Sequence, residues 1–330
     1  MKKERIAGYD NQKFFLIFLV ILGHFVEAHF ESRVPYRGFL YMWIYFFHMP
    51  AFIFLAGLCQ KRTDTLNGKR VLSFILIGFI SKLFVMITVG VFTGEYYFRL
   101  VRESGMPWFM FAMAAFIVLT YVLRNVKPVF ALGFAVVMGL AIGYDPTFDK
   151  GLLTLNRMIS FFSFYLLGYY LDPEKVMHVC KKTIVRVFSV LFVGVYTWVL
   201  IRQRDRVLEL RHIVIGSASY NEMALENGGL LLRIMCYLIA VLAIIALISL
   251  IPNRNIPVVT AMGKRTLAIY FWHRNVIRVL TYTGVSAFLI SKAGGSVWIS
   301  VPICILLTFL LGWKGFMVPM NYLMKGIYKE

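Results

Sequence analysis

The sequence predicts an all-α protein, a polytopic bundle of about ten transmembrane helices, and three observations lead to that prediction. Apolar residues make up 60% of the 330-residue chain, and its mean hydropathy is +0.74. Charged residues make up only 15%, whereas soluble domains contain about 25%. The apolar residues form continuous runs rather than the alternating pattern of a membrane β-strand. A soluble core of this size could not bury so much apolar surface, and a disordered chain needs low hydrophobicity.

Each predicted helix is an apolar run that approaches the roughly 17–25 residues needed to cross a bilayer. In chain order the runs are 13–30, 39–59, 71–92, 108–123, 128–144, 157–171, 184–201, 230–251, 266–288 and 298–319. The clearest stretch is 234–251, where Ser249 is the one polar residue. The weakest runs are 157–171, which is short, and 266–288, which carries several ionisable side chains.

The segments between the runs are mostly short, so we expect a single transmembrane domain over 1–330 without an extramembrane domain. The one long loop is 202–229. Ahead of the first run, Asp10 and Asn11 are typical helix N-cap residues. Two pairs of small residues fit close helix packing: Gly90 with Gly94, and Gly139 with Gly143.

Basic residues in the connecting segments orient the helices. With the N terminus inside, the inner segments hold 17 Lys and Arg residues and the outer segments hold 10, which is the bias of the positive-inside rule. We therefore expect both termini in the cytoplasm, and a multi-pass protein of a cell membrane, the bacterial cytoplasmic membrane being the simplest case. The net charge of +19 is explained by segments that face anionic lipid.

The sequence also indicates which other partners to expect. No basic and aromatic module stands apart from the apolar runs, so nucleic acid is not expected. The four cysteines are widely spaced and lack any metal-ligand spacing, so no metal site is expected. A homo-oligomer is left open.

Three of the six histidines fall in one central layer of the predicted helices. From the ends of their runs, His24 lies roughly 16 Å deep, His48 roughly 14 Å and His273 roughly 10 Å, at 1.5 Å per residue. Ionisable groups at such depth are costly and are functional candidates. Because histidine exchanges a proton near neutral pH, these positions indicate acid–base chemistry in one central layer.

Two more ionisable residues share a helix face with His24. Glu27 follows it by three residues, where a carboxylate either orients the imidazole or marks the outer end of the helix. Lys13 precedes it by eleven residues, about three turns, and is either functional or an interfacial anchor. Lys82 lies midway along its run, where a cation needs a partner or water.

The remaining candidates lie near the ends of runs. Trp108 and Arg157 are either interfacial residues or parts of a site, and Arg186 and Arg233 are expected to be interfacial anchors. A basic cluster on the inner side either sets the topology or meets a phosphorylated donor; its members are Lys61, Arg62, Lys69 and Arg70.

Five segments, in order along the chain, resemble the acyltransferase 3 family of integral membrane O-acyltransferases, and in particular its sugar O-acetylase-like branch. They are RIAGYDNQKFFLIFLVILGH (5–24), FFHMPAFIFLAG (46–57), PWFMFAM (107–113), NRMISFFSFYLLGYYL (156–171) and GKRTLAIYFWH (263–273). One departure is VLSFILIGF, which stands where the family has an Arg-Leu-x-x-Pro pattern.

The resemblance implies an enzyme that moves an acyl group, commonly acetyl, from cytosolic acyl-CoA to a hydroxyl of an envelope or exported saccharide or glycolipid. Acetyl-CoA would be a co-substrate, with no permanently bound cofactor. It implies His24 as general base, Glu27 as its orienting group, and Lys13 with the inner basic cluster facing the CoA phosphates. The residues expected to line the cavity are His48, Lys82, Trp108, Arg157 and His273.

A transporter or flippase for a polar lipid or sugar is the alternative, because it also explains histidine and lysine at mid-membrane depth. That class predicts inverted repeats and helices interrupted by paired Gly or Pro. The sequence contains neither pattern.

Overall fold

A computed structural model describes residues 5–31, 33–60, 65–98, 107–145, 154–225 and 227–328. Within these ranges the chain forms helices and no strand, so the predicted all-α class is confirmed. The helices are α1 Ala7–His29, α2 Arg37–Tyr45, α3 His48–Leu58, α4 Gly68–Thr93, α5 Trp108–Val122, α6 Pro128–Ala141, α7 Leu155–Tyr170, α8 Pro173–Cys180, α9 Thr183–Arg202, α10 Arg211–Ile215, α11 Gly229–Leu250, α12 Pro257–Gly263, α13 Thr266–Tyr282, α14 Val285–Lys292, α15 Ser300–Leu311 and α16 Lys314–Tyr328.

Six helical stretches in the described residues are long and apolar enough to cross a membrane. They are α1, α2 together with α3, α4, α5 with the 3₁₀ turn that follows it, α9 and α11. A seventh forms if Val297–Leu311 and Lys314–Tyr322, which are bent by 53°, count as one span. The ten-span count and the placement of both termini inside therefore stay predictions.

The predicted run 266–288 shows why ten spans are predicted from the sequence but only six or seven are found among the described residues. It is divided into α13, of 17 residues, and α14. Gly284 lies between them with φ +73°, a left-handed conformation that favours glycine. The turn shortens the helix below the length of a clear membrane span.

The polar start of α1 is anchored to other parts of the chain. Arg5 donates from Nε and Nη2 to the two carboxylate oxygens of Asp10, each at 2.7 Å, and this bond raises the pKa of Arg5. Asn11 donates to the carbonyls of Pro252 and Arg254 at 2.9 Å. The predicted N-cap role of Asp10 and Asn11 is wrong, because the helix already begins at Ala7 and both side chains bind groups outside it.

Two glycines bring α3 and α7 into backbone contact. A Cβ atom on Gly57 would overlap the carbonyl oxygen of Tyr165, and one on Gly168 would overlap that of Phe54. Only glycine permits such an approach. The contact fixes the two helices side by side, with His48 at the start of α3.

Candidate active site

A cavity of about 410 Å³, which we call the histidine cavity, lies among α1, α2, α3, α5, α7, α13 and the segment 212–217. Five residues predicted from the sequence line it: His24, Glu27, His48, Trp108 and Arg157. The sequence did not single out five others as site residues: Tyr41, Tyr45, His212, Ser217 and Arg274.

His24 and Glu27 contact each other on one face of α1. The His24 Nδ1 atom lies 3.3 Å from Glu27 Oε2, and the Tyr45 hydroxyl donates to the same carboxylate oxygen, also at 3.3 Å. Arg274, from α13, places Nη1 2.9 Å from His24 Nδ1 and 3.7 Å from Glu27 Oε2. These four side chains form one polar group in the cavity wall.

The two contacts to His24 Nδ1 require different protonation states of that nitrogen. A guanidinium only donates and a carboxylate only accepts. While Arg274 donates to Nδ1, a neutral imidazole carries its proton on Nε2. When Nδ1–H is donated to Glu27 instead, Nε2 has a free lone pair. The geometry therefore places His24 Nδ1 within reach of both a donor, Arg274, and an acceptor, Glu27, and each contact corresponds to one tautomer.

His48 begins α3, just after a break at Phe46 and Phe47 that separates it from α2. Its Nδ1 donates to the carbonyl of Ile44 at 2.9 Å, which also accepts from the backbone N–H of Phe47 at 3.3 Å. The proton of a neutral His48 is thereby held on Nδ1, and Nε2 is an acceptor. The ring packs edge-on against Tyr45 at 4.7 Å.

His273 lies behind His24 rather than among the residues that line the histidine cavity. The two rings stack at a centroid distance of 5.4 Å, and the His273 side chain is fully buried. Its Nδ1 donates to the carbonyl of Tyr270 at 2.6 Å. His273 therefore packs against the candidate base instead of facing a substrate.

Trp108 and Arg157 also line the cavity and contact each other. The Arg157 guanidinium lies 5.8 Å from the centre of the Trp108 ring, within the range of a cation–π interaction. Arg157 is in the first turn of α7 and Trp108 is the first residue of α5. An arginine in this position can bind a negative charge in the cavity.

The predicted donor-binding residues lie elsewhere or are not described. Lys13 is at the start of α1, where its Nζ lies 3.8 Å from Asp10 Oδ1. Lys69 and Arg70 are in the first turn of α4, whereas Lys61 and Arg62 lie outside the described residues.

Lys82 is nearly buried in α4, with Nζ 5.6 Å from the ring of Phe111. It is not among the residues that line the histidine cavity. In the described part of the chain, no three His, Cys, Asp or Glu residues are placed to hold a metal ion together.

Apolar helices around a polar, histidine-containing cavity define a multi-pass membrane protein with a candidate active site. A family model described as an acyltransferase domain matches residues 6–314, almost the whole chain. The chain belongs to the acyltransferase 3 family, as the five segments predicted, and the family supports a membrane acyltransferase function. Neither a curated protein nor a solved structure matches the chain.

Proposed function

We propose that the protein transfers an acetyl group from cytosolic acetyl-CoA to a hydroxyl of a cell-envelope or exported saccharide, with His24 as general base. One observation carries the proposal: His24 lies at the wall of a cavity inside the helix bundle, and its Nδ1 is in reach of Glu27. A carboxylate on one imidazole nitrogen makes the other nitrogen the base.

In the proposed step, an alcohol becomes a competent nucleophile as a base removes its proton. His24 donates Nδ1–H to Glu27 and takes the hydroxyl proton on Nε2. The oxygen forms a bond to the acyl carbon while the bond from that carbon to the leaving group breaks. The imidazolium then returns the proton to the leaving group, and Glu27 stabilises the imidazolium in between.

Two arginines supply positive charge for the acyl oxygen, which becomes negative during the attack. Arg274 leaves Nδ1 when Glu27 takes its place, and its guanidinium becomes available to that oxygen. Arg157 lines the same cavity from α7. Both roles are parts of the proposal.

On the donor side, the proposal assigns the CoA phosphates to five basic residues. They are Lys13, Lys61, Arg62, Lys69 and Arg70. Lys13 precedes His24 by about 16 Å along α1, at 1.5 Å per residue. Acetyl-CoA is a long molecule, so its phosphate groups can bind near Lys13 while its thioester lies near His24. The protein would work in the bacterial cytoplasmic membrane with its termini inside.

The test is acetyl transfer by the purified, full-length protein in detergent, with labelled acetyl-CoA and a panel of saccharides. His24→Ala should reduce kcat by at least about 10²-fold, the lower range for a general base. His178→Ala is the matched control, because His178 is an exposed residue of α8 outside the cavity. Equal transfer by wild type and His24→Ala would remove His24 as the base, and no transfer or CoA binding by wild type would favour the transporter class.

A further inference from the structure

A second cavity, of about 750 Å³, lies beside the histidine cavity, where the segment after α1 meets the segment between α9 and α10. Three arginines line it, so we call it the arginine cavity; they are Arg33, Arg204 and Arg211, and the carboxylates of Asp205 and Glu209 line it beside them. His212 lines both cavities. The N-inside arrangement predicted from loop charges puts the arginine cavity on the outer face.

Positive charge around the arginine cavity is not balanced by nearby carboxylates. The segments 33–38 and 204–212 contain five arginines and two carboxylates, an excess of three positive charges. Arg204 pairs with Asp205 at 3.6 Å. Within the described residues, Arg33 forms no ion pair. An anion in the cavity would complete this charge distribution.

Two further arginines have donors without a carboxylate partner. Among the described residues, the Nε of Arg37 is buried and has no hydrogen-bond partner. Arg211 donates from Nε to His212 Nε2 at 3.0 Å, so its partner is an imidazole and not a carboxylate. Guanidinium groups that are held in place but not neutralised are suited to bind a carboxylate or a phosphate.

The cavity wall also holds an aromatic ring in a defined position. Tyr36 lies under the Arg204 guanidinium, 5.1 Å from it, and its ring centre is 6.0 Å from that of Trp298. Gly38 lets the 204–208 segment pack directly on α2, because a Cβ there would lie 2.7 Å from the Arg204 carbonyl oxygen. An aromatic ring beside arginines fits a sugar ring that carries an acidic group.

The helix α2 connects the two cavities. Gly38 lines the arginine cavity, and Tyr41 and Tyr45 line the histidine cavity. The seven residue steps from Gly38 to Tyr45 cover about 10 Å at 1.5 Å per residue. His212 lines both cavities, so one extended molecule that passes His212 would occupy both.

We propose that the arginine cavity is an acceptor subsite for an anionic saccharide, which it binds through a carboxylate or phosphate while the hydroxyl to be acylated lies in the neighbouring histidine cavity. This inference rests on the proposed function of the histidine cavity and names the substrate class. An acidic sugar residue and a lipid-linked sugar phosphate share this chemistry.

The test compares matched acceptors and matched variants of the full-length protein. The acceptors are a neutral oligosaccharide, the same oligosaccharide with uronate residues, and the same oligosaccharide as a glycosyl phosphate. Arg33→Gln and Arg211→Gln each remove one charge from the arginine cavity. Arg206→Gln is the control, because it removes a charge from the same exposed segment but does not line the cavity.

Wild type should prefer at least one acidic acceptor in kcat/KM, and Arg33→Gln and Arg211→Gln should each reduce that preference about tenfold, as expected for one charge-assisted hydrogen bond. The KM for acetyl-CoA should not change. If the variants lose the preference for the uronate acceptor, the arginine cavity binds a sugar carboxylate. If they lose the preference for the glycosyl phosphate, it binds a sugar phosphate. Equal use of neutral and acidic acceptors, or an equal loss in Arg206→Gln, would overturn the proposal.

Direct binding separates this inference from the proposed function. Titration of the acidic oligosaccharides without acetyl-CoA, followed by calorimetry, should show binding by wild type and about tenfold weaker binding by Arg33→Gln. If this difference appears without any acetyl transfer, the anionic subsite holds and the acyltransfer proposal fails. If transfer occurs but the acidic and neutral saccharides bind equally, the subsite fails alone.

Discussion

At the scale of single residues, the candidate site depends on one imidazole nitrogen with two partners. Glu27 and Arg274 both contact His24 Nδ1. Only one of them can hold that nitrogen at a time, so in the proposed mechanism the balance between them decides whether Nε2 is available as the base. The Tyr45 hydroxyl donates to the same Glu27 carboxylate, and in that mechanism it holds the carboxylate in place for Nδ1–H.

Replacing the carboxylate tests the proposed role of Glu27. Glu27→Gln should reduce kcat by about 10²-fold, since an amide can accept Nδ1–H but does not stabilise the imidazolium by charge. The KM for acetyl-CoA should stay unchanged. Steady-state kinetics with the exposed Glu31→Gln as control would check this, and a raised acceptor KM with unchanged kcat would instead make Glu27 a substrate-binding residue.

Arg274 is expected to act on the developing negative charge. Arg274→Met should lower kcat by about 10²-fold, the usual loss when one stabilising donor of this kind is removed. Arg274→Lys should keep part of the activity, because the charge remains. A fully active Arg274→Met protein would contradict the role assigned to this guanidinium.

Sequence reasoning found the local part of this group and missed the distant part. The spacing of three residues was enough to place His24 and Glu27 on one face of a helix. Arg274 is 250 residues away from His24 in the chain, and a helix pattern carries no information on such contacts. The one sequence feature that marks Arg274 is that it is an ionisable residue in an apolar run. Arg233 has the same feature and lies outside the site.

Arg233 illustrates how weak that signal is. It was expected to be an interfacial anchor, and this prediction is wrong: it is 2% exposed. Its Nη1 donates to the Gly139 carbonyl and to Ser160 Oγ, both at 3.2 Å. A buried arginine thus joins α11 to α6 and α7, which periodicity alone does not reveal.

At the scale of helices, the backbone contact between α3 and α7 involves Gly57 and Gly168, which do not belong to the small-residue pairs that the sequence indicated. Gly94, from one of those pairs, ends α4 with φ +77° and has open space around it. The packing partner of a glycine depends on the crossing of two helices, so a single-chain spacing of four residues could not identify it.

The α3–α7 contact leads to a stability prediction. Gly168→Ala should lower the free energy of unfolding by about 1–3 kcal/mol, because the added methyl group overlaps backbone that cannot move aside. Gly194→Ala, in α9, is the control, since nothing lies within 4 Å of the added atom and alanine is the better helix former by about 1 kcal/mol. Thermal unfolding in detergent should separate the two variants, and equal transition temperatures would contradict the packing.

At the scale of the whole molecule, composition predicted the class of structure and left the number of spans open. Continuous apolar runs identify helices, but α7 and α13 have 16 and 17 residues, near the lower limit for a span. Length and hydropathy cannot decide whether such helices cross the bilayer. Their polar side chains face the site, and this lowers their hydropathy.

The N-inside arrangement can be tested with a natural cysteine. Cys59, at the end of α3, is exposed, whereas Cys180 and Cys304 are buried. A membrane-impermeant maleimide should label Cys59 in inverted vesicles and not in intact cells, with Cys59→Ser as the control for specificity. Arg206→Cys in that background should give the opposite result. Labelling of Cys59 in intact cells would reverse the arrangement.

The glycine contact between α3 and α7 also limits how the bundle can move. A carrier that takes a solute across the bilayer must open its binding site alternately to each side, by rocking one group of helices against another. Here α3 and α7 line the same cavity through His48 and Arg157, and their backbones touch at Gly57 and Gly168. A path for a whole sugar between these two walls would have to break that backbone contact, whereas the transfer of a small acyl group would leave it in place.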